Sequence, residues 1–181
     1  KKLNVAIIGI GHLGSRHLKV YDELSSQINL VGVCAIKPDR TQRLASHYHI
    51  PFFEDYRGLA GKVDAVNICV PTISHYEVGK FFLERGVHTF IEKPMTMTVE
   101  QADELIEIAK AKKLKLQIGH VERFNSAFMA IKHFTKEPLF IECHRLNQFP
   151  NRSLDIGVIM DLMIHDIDII LGLNNSPVKD F

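Results

Sequence analysis

Charge of either sign is nearly balanced, with 22 Lys and Arg against 21 Asp and Glu and a formal net charge of +1. That leaves no basic face for nucleic acid and no strong field toward an anionic membrane surface. No apolar run approaches the roughly 18 residues that a membrane span requires. The first residues enter a strand-like pattern at once, so no signal peptide is expected. Cysteine is scarce: Cys34, Cys69 and Cys143 cannot all pair, and the first two lie inside apolar runs. They are expected to be reduced core residues of a cytoplasmic protein. The ten histidines and three cysteines contain no CxxC or HExxH spacing, so no metal is expected, and His47 and His49 read as surface residues. Internal repeats and low-complexity tracts are also missing.

What is present is an ordinary globular balance, 46% hydrophobic and 24% charged over 181 residues, enough for one domain and part of another. Short runs rich in Val and Ile recur at Leu3–Ile8, Leu30–Cys34, Ala65–Val70, Val87–Ile91 and Leu116–Ile118. Short apolar runs without strict alternation are what strands covered on both faces look like. Between them lie helix signals. Ser74 with Glu77, and Thr98 with Gln101, fit capping boxes. Ala102, Leu105, Ile106 and Ala109 share one helical face, and Gly86 stands where a helix should stop. Alternation of this kind predicts an α/β fold, a doubly wound parallel (Rossmann) sheet over residues 1–119. After Gly119 the rhythm changes to a helical stretch at Asn125–Phe134, a strand at Leu139–Leu146, a loop at Phe149–Ser153 and a long helix at Gly157–Leu171. Residues 120–181 therefore read as the start of a second, α+β domain that is incomplete.

The first strand runs into Gly9-Ile10-Gly11-His12-Leu13-Gly14, after which Ser15–Leu24 reads as helix. GxGxxG is a weak signal alone, but a strand before it and a helix after it are the context a dinucleotide requires. Gly9 permits the tight turn, Gly11 lets a pyrophosphate approach the backbone, and Gly14 lets helix and strand pack closely. The helix amides then face the phosphate charge. The plainer alternative is a glycine turn that only connects strand to helix. The second strand ends in Cys34-Ala35-Ile36-Lys37-Pro38-Asp39-Arg40, where no carboxylate occupies the strand end, at Ala35, to hold an NAD ribose. Lys37 and Arg40 offer positive charge instead, which suits the 2′-phosphate of NADP(H); both are equally readable as solvated cations.

Two further features carry chemistry. Glu92-Lys93-Pro94 closes the strand Val87–Ile91, which places Lys93 at the carboxyl edge where open α/β sheets bind ligands; the proline fixes the turn. In the last helix, Asp161, His165 and Asp168 fall at i, i+4 and i+7 and form one polar stripe on an otherwise apolar helix. Such a stripe is either a solvent face or a row directed at partners or substrate.

Together, Gly9–Gly14, Glu92-Lys93-Pro94 and Asp161–His165 resemble the Gfo/Idh/MocA family of sugar and cyclitol oxidoreductases. Pro71, Thr72 and His75 after the fourth strand, and His120 and Arg123 further on, are similar to the family as well. The run Gly-His-Val-Glu-Arg-Phe-Asn at 119–125 resembles members acting on nucleotide-sugars, such as UDP-N-acetylglucosamine 3-dehydrogenases. The resemblance implies an NAD(P)-dependent dehydrogenase in which Lys93, Asp161 and His165 are catalytic. Gly9, Gly11, His12, Leu13, Gly14, Lys37, Arg40, Pro71, Thr72, His75, Glu92 and Lys93 would bind cofactor, and His120 and Arg123 the substrate. Asp166 and Asp168 would have supporting roles. It also implies a small sugar or nucleotide-sugar substrate and a homo-oligomer in full-length form. Members continue into a large open sheet that is nearly absent here, so a fragment of a longer protein is expected. The competing class is a dinucleotide-binding module without catalysis.

Overall fold

The structure, a computed structural model, describes residues 1–36, 38–135, 138–146, 156–174 and 176–180, without the side chains of residues 38–40. The chain divides into two units, Lys1–Gly119 and His120–Phe181.

In the first unit six parallel strands pair in the order β3-β2-β1-β4-β5-β6. They are β1 Leu3–Ile8, β2 Ile28–Cys34, β3 Phe52–Phe53, β4 Ala65–Ile68, β5 His88–Glu92 and β6 Leu116–Gly119. Between them run α1 His12–Glu23, α2 Pro38–His47, α3 His75–Glu84 and α4 Val99–Ala111. The register aligns Phe53, Cys34, Ile8, Ile68, Ile91 and Ile118 in one row across the sheet. That row packs with Phe82 and Leu83 of α3 and Leu105 of α4. On the opposite face Ile7 and Val33 pack with Leu18 of α1 and Ala45 of α2. Strands covered on both sides explain why their sequences are continuously apolar. Full burial of each such Ile or Leu is worth about 1.5–3 kcal/mol. The same register sets the residues that follow the row, Gly9, Cys69, Glu92 and Gly119, side by side at the carboxyl edge. The chain runs outward from β1 through β2 to β3 and then crosses back to β4 on the other side of β1, so this edge holds, between β1 and β4, the switch point where α/β folds bind ligands.

Strand ends differ slightly from the sequence reading. β4 stops at Ile68 because Cys69 and Val70 turn toward Pro71, although the Cys69 N–H still donates to the Ile8 carbonyl at 2.7 Å. The helix expected from Ser15 begins at His12.

In the second unit a 3₁₀ turn at Val121–Phe124 leads to α5, Ser126–Lys132, whose N-cap Asn125 accepts a hydrogen bond from the Ala127 amide. The strand expected at Leu139–Leu146 does not form. A strand is defined by its neighbour, and the described residues of this unit contain no second one. The loop expected at Phe149–Ser153 lies outside the described residues. The last helix opens with a π turn at Ile159–Met163 and continues as α6, Ile164–Leu173. Among the described residues no helix is long and apolar enough to cross a membrane.

Candidate functional site

At the glycine turn, Gly9 has φ +92°, and a Cβ there would lie 2.6 Å from the Cys69 carbonyl carbon. A Cβ on Gly14 would lie 1.9 Å from the Gly9 carbonyl oxygen. Both positions exclude a side chain because backbone already fills the space. Gly11 differs: nothing lies within 4 Å of its would-be Cβ. The first helical bond runs from the Ser15 N–H to the Gly11 carbonyl at 3.1 Å. The N–H groups of residues 11–14 therefore have no helical acceptor, and Gly11, His12 and Leu13 are exposed. Open space over a glycine, bounded by helix-start amides without a helical acceptor, fits a pyrophosphate. Lys37 and the side chain of Arg40 lie outside the described residues.

The loop after β4 carries Pro71, which is exposed, and Thr72, which is 6% exposed. His75 is buried at 1% exposure, with each ring nitrogen 2.8 Å from a carbonyl oxygen, Nδ1 from Pro94 and Nε2 from Val70. Both of its polar atoms are thus directed at the protein rather than at a cofactor. Glu92 is likewise buried at 7% exposure, its carboxylate shared between His17 and the Lys93 N–H. Those two residues, expected to contact cofactor, hold the loops that carry Pro71, Thr72 and Lys93. Lys93 itself is half-buried.

In the second unit the polar stripe of the last helix is the sheltered one. Asp168 is 7% exposed and Asp161 and His165 are half-buried, whereas Ile159, Met163, Ile167 and Leu171 are 59%, 51%, 38% and 51% exposed. Arg123, expected on the substrate, forks onto Asp168 with its Nε and Nη2 at 2.7 and 2.5 Å. His120 is half-buried with Nδ1 3.8 Å from Asp168 Oδ1, beyond hydrogen-bond reach. Burial pushes the Asp168 carboxyl up, but the Arg123 fork and the nearby His120 and His165 outweigh it and hold the group below its ordinary value. Arg145 forks in the same way onto Asp166 at 2.8–3.0 Å. Asp166 and Asp168 are thus each paired with an arginine from outside the last helix.

One cluster escaped the sequence reading. His17, Cys69 and Glu92, from α1 and the ends of β4 and β5, place Nε2, Sγ and a carboxylate oxygen within 4.8 Å of one another. Their potential ligand atoms already satisfy each other or a neighbour. His17 Nε2 lies 2.6 Å from Glu92 Oε1, and the Cys69 thiol donates to Asn67 Oδ1 at 3.2 Å. Burial, and then the charge of Glu92, push that thiol up, so it keeps its proton. No local spacing announces this group, because its members meet only through the sheet register.

Comparison with known proteins agrees with this geometry. Residues 3–120 match the model of the Gfo/Idh/MocA oxidoreductases, described as an oxidoreductase family with an NAD-binding Rossmann fold. The chain belongs to this family. It is 38% identical over 179 residues to UDP-N-acetylglucosamine 3-dehydrogenase of Acidithiobacillus ferrooxidans, covering 98% of this chain and 56% of that protein. A solved structure of that enzyme superposes with a TM-score of 0.90 over 99% of this chain and 59% of its own. A dehydrogenase (MviM) from Clostridium difficile superposes with a TM-score of 0.85 at 30% identity, over 99% of this chain and 59% of that one. An inositol 2-dehydrogenase/D-chiro-inositol 3-dehydrogenase of Lactiplantibacillus plantarum is 27% identical, over 91% of this chain and 50% of that protein. The chain thus spans little more than half the length of these relatives.

Proposed function

We propose that the chain carries the dinucleotide site and the acid–base residues of an NAD(P)-dependent dehydrogenase acting on a sugar, cyclitol or nucleotide-sugar hydroxyl. The observation that carries this reading is the glycine turn, where open space above Gly11 meets the amides of residues 11–14, which have no acceptor within the helix. A nicotinamide dinucleotide bound there would supply the hydride acceptor. The amides of residues 11–14 would hold its pyrophosphate, with Pro71 and Thr72 of the next loop as further cofactor-binding residues. His165 takes the proton of the substrate hydroxyl as the carbinol C–H bond breaks, so the carbon loses a hydride and the oxygen a proton. Asp161 orients His165 or binds a neighbouring hydroxyl. Lys93 donates a hydrogen bond to the reacting oxygen and stabilises its developing negative charge.

The 38% identity to a UDP-N-acetylglucosamine 3-dehydrogenase, against 27% to an inositol dehydrogenase, favours a nucleotide-sugar among the three substrate classes. The lack of a carboxylate at Cys34-Ala35-Ile36, with Lys37 and Arg40 beyond it, favours NADP(H). Formation of reduced cofactor, followed by absorbance across a panel of UDP-sugars, free sugars and cyclitols, tests the activity. Turnover of a nucleotide-sugar is expected; cofactor binding without turnover on any member of the panel would favour a binding module. Fluorescence titration with NADPH and NADH tests the cofactor, with tighter binding of NADPH expected and equal or weaker binding overturning the preference.

A further inference from the structure

Lys93 leaves the end of β5 between two residues that are each held by a histidine from a different helix. On one side, His17 of α1 places Nε2 2.6 Å from Glu92 Oε1, with its ring edge-on to Phe90 at 5.4 Å between centroids. The other carboxylate oxygen of Glu92 accepts the Lys93 backbone N–H at 3.3 Å. On the other side, His75 at the start of α3 places Nδ1 2.8 Å from the Pro94 carbonyl oxygen and Nε2 2.8 Å from that of Val70. The first contact ties the helix that opens on the glycine turn to the residue before Lys93. The second ties the loop after β4 to the residue after it.

We infer that His17 and His75 are positioning residues that bracket Lys93, fixing the backbone on both of its sides relative to the glycine turn and the β4 loop. The importance of Lys93 rests on the function proposed above; the bracket itself does not. A lysine side chain has a flexible four-carbon stem, so the region its ammonium can reach is set by where its backbone is held. Glu92 is buried at 7% exposure and His75 at 1%, where polar contacts are strong and poorly replaced by water. Neither histidine carries the chemistry: each acts through the residue it holds.

The test reads Lys93 directly and needs neither cofactor nor turnover. The whole chain is labelled with trinitrobenzenesulfonate and the rate at Lys93 is compared, by peptide mass mapping, with the exposed Lys62 and Lys112. In His17→Gln, Glu92→Gln and His75→Gln, the Lys93 rate is expected to change several-fold while the reference lysines hold, in variants that circular dichroism shows to be folded. His17→Gln/Glu92→Gln should change it no more than either single variant, since the two act as one pair. A wild-type Lys93 rate in folded variants overturns the bracket. Amide hydrogen exchange of the unaltered protein serves where a variant does not fold. Protection of the Lys93 N–H well beyond that of an open loop supports the inference, and open-loop exchange contradicts it. Failure of the dehydrogenase assay with a positive labelling result would remove the function and keep the bracket.

Discussion

A methyl group added at Gly11 or at Gly14 meets very different surroundings, although both residues belong to one turn. At Gly14 it would strike the Gly9 carbonyl oxygen. Gly14→Ala is therefore expected to destabilise the protein by about 3 kcal/mol or more, the upper end of overpacking, because backbone rather than a side chain must move. At Gly11 the space is open. Gly11→Ala should keep the wild-type melting temperature and lose dinucleotide affinity in a fluorescence titration. Equal loss of stability in both variants would mean that Gly11 only serves the turn. Asp168 gives a second residue-scale expectation. Its carboxyl is held below the 3.8 of the unfolded chain, so it contributes stability above that pH and loses it as pH falls through the folded value. Denaturation midpoints taken through this acid range should decline less steeply for Asp168→Asn. The glycines were legible because their signal lies within six consecutive residues. His17 was not, because its partner is 75 positions away and only the sheet brings them together.

Helix caps separate a pattern in the sequence from a bond in the structure. Thr98 accepts a hydrogen bond from the Gln101 amide at 3.3 Å, and the Gln101 side chain accepts from the Met97 N–H. Ser74 has the same spacing to Glu77 but makes no side-chain cap bond. Thr98→Ala should then cost about 0.5–2 kcal/mol in chemical denaturation, while Ser74→Ala leaves stability nearly unchanged. β1 appears at Leu3–Ile8, as its apolar run implies, since a strand buried on both faces marks its own limits. β3 left no pattern because it has two residues, Phe52 and Phe53. Leu139–Leu146 had a strand's composition and, among the described residues of its unit, no strand to pair with. In the last helix the stripe Asp161, His165 and Asp168 was legible from spacing, but its direction was not. Arg123 draws Asp168 inward and leaves the row Ile159, Met163, Ile167 and Leu171 facing out.

The whole chain joins a well-covered sheet to a second unit rich in exposed apolar side chains. Phe124, Phe134, Phe140 and Leu146 are 75%, 88%, 82% and 93% exposed. Exposed apolar area on this scale drives association, so light scattering should show a mass that rises with protein concentration; a constant monomer mass would contradict this. The family was legible because Gly9–Gly14 and Glu92-Lys93-Pro94 are short motifs with a fixed place in the fold. The central claim is that Lys93 and His165 serve one hydride transfer, and turnover of the best substrate by Lys93→Ala and His165→Ala tests it most directly. The account predicts that each variant loses about 10²–10⁴-fold in kcat while still binding cofactor; near-normal turnover by either folded variant would contradict it.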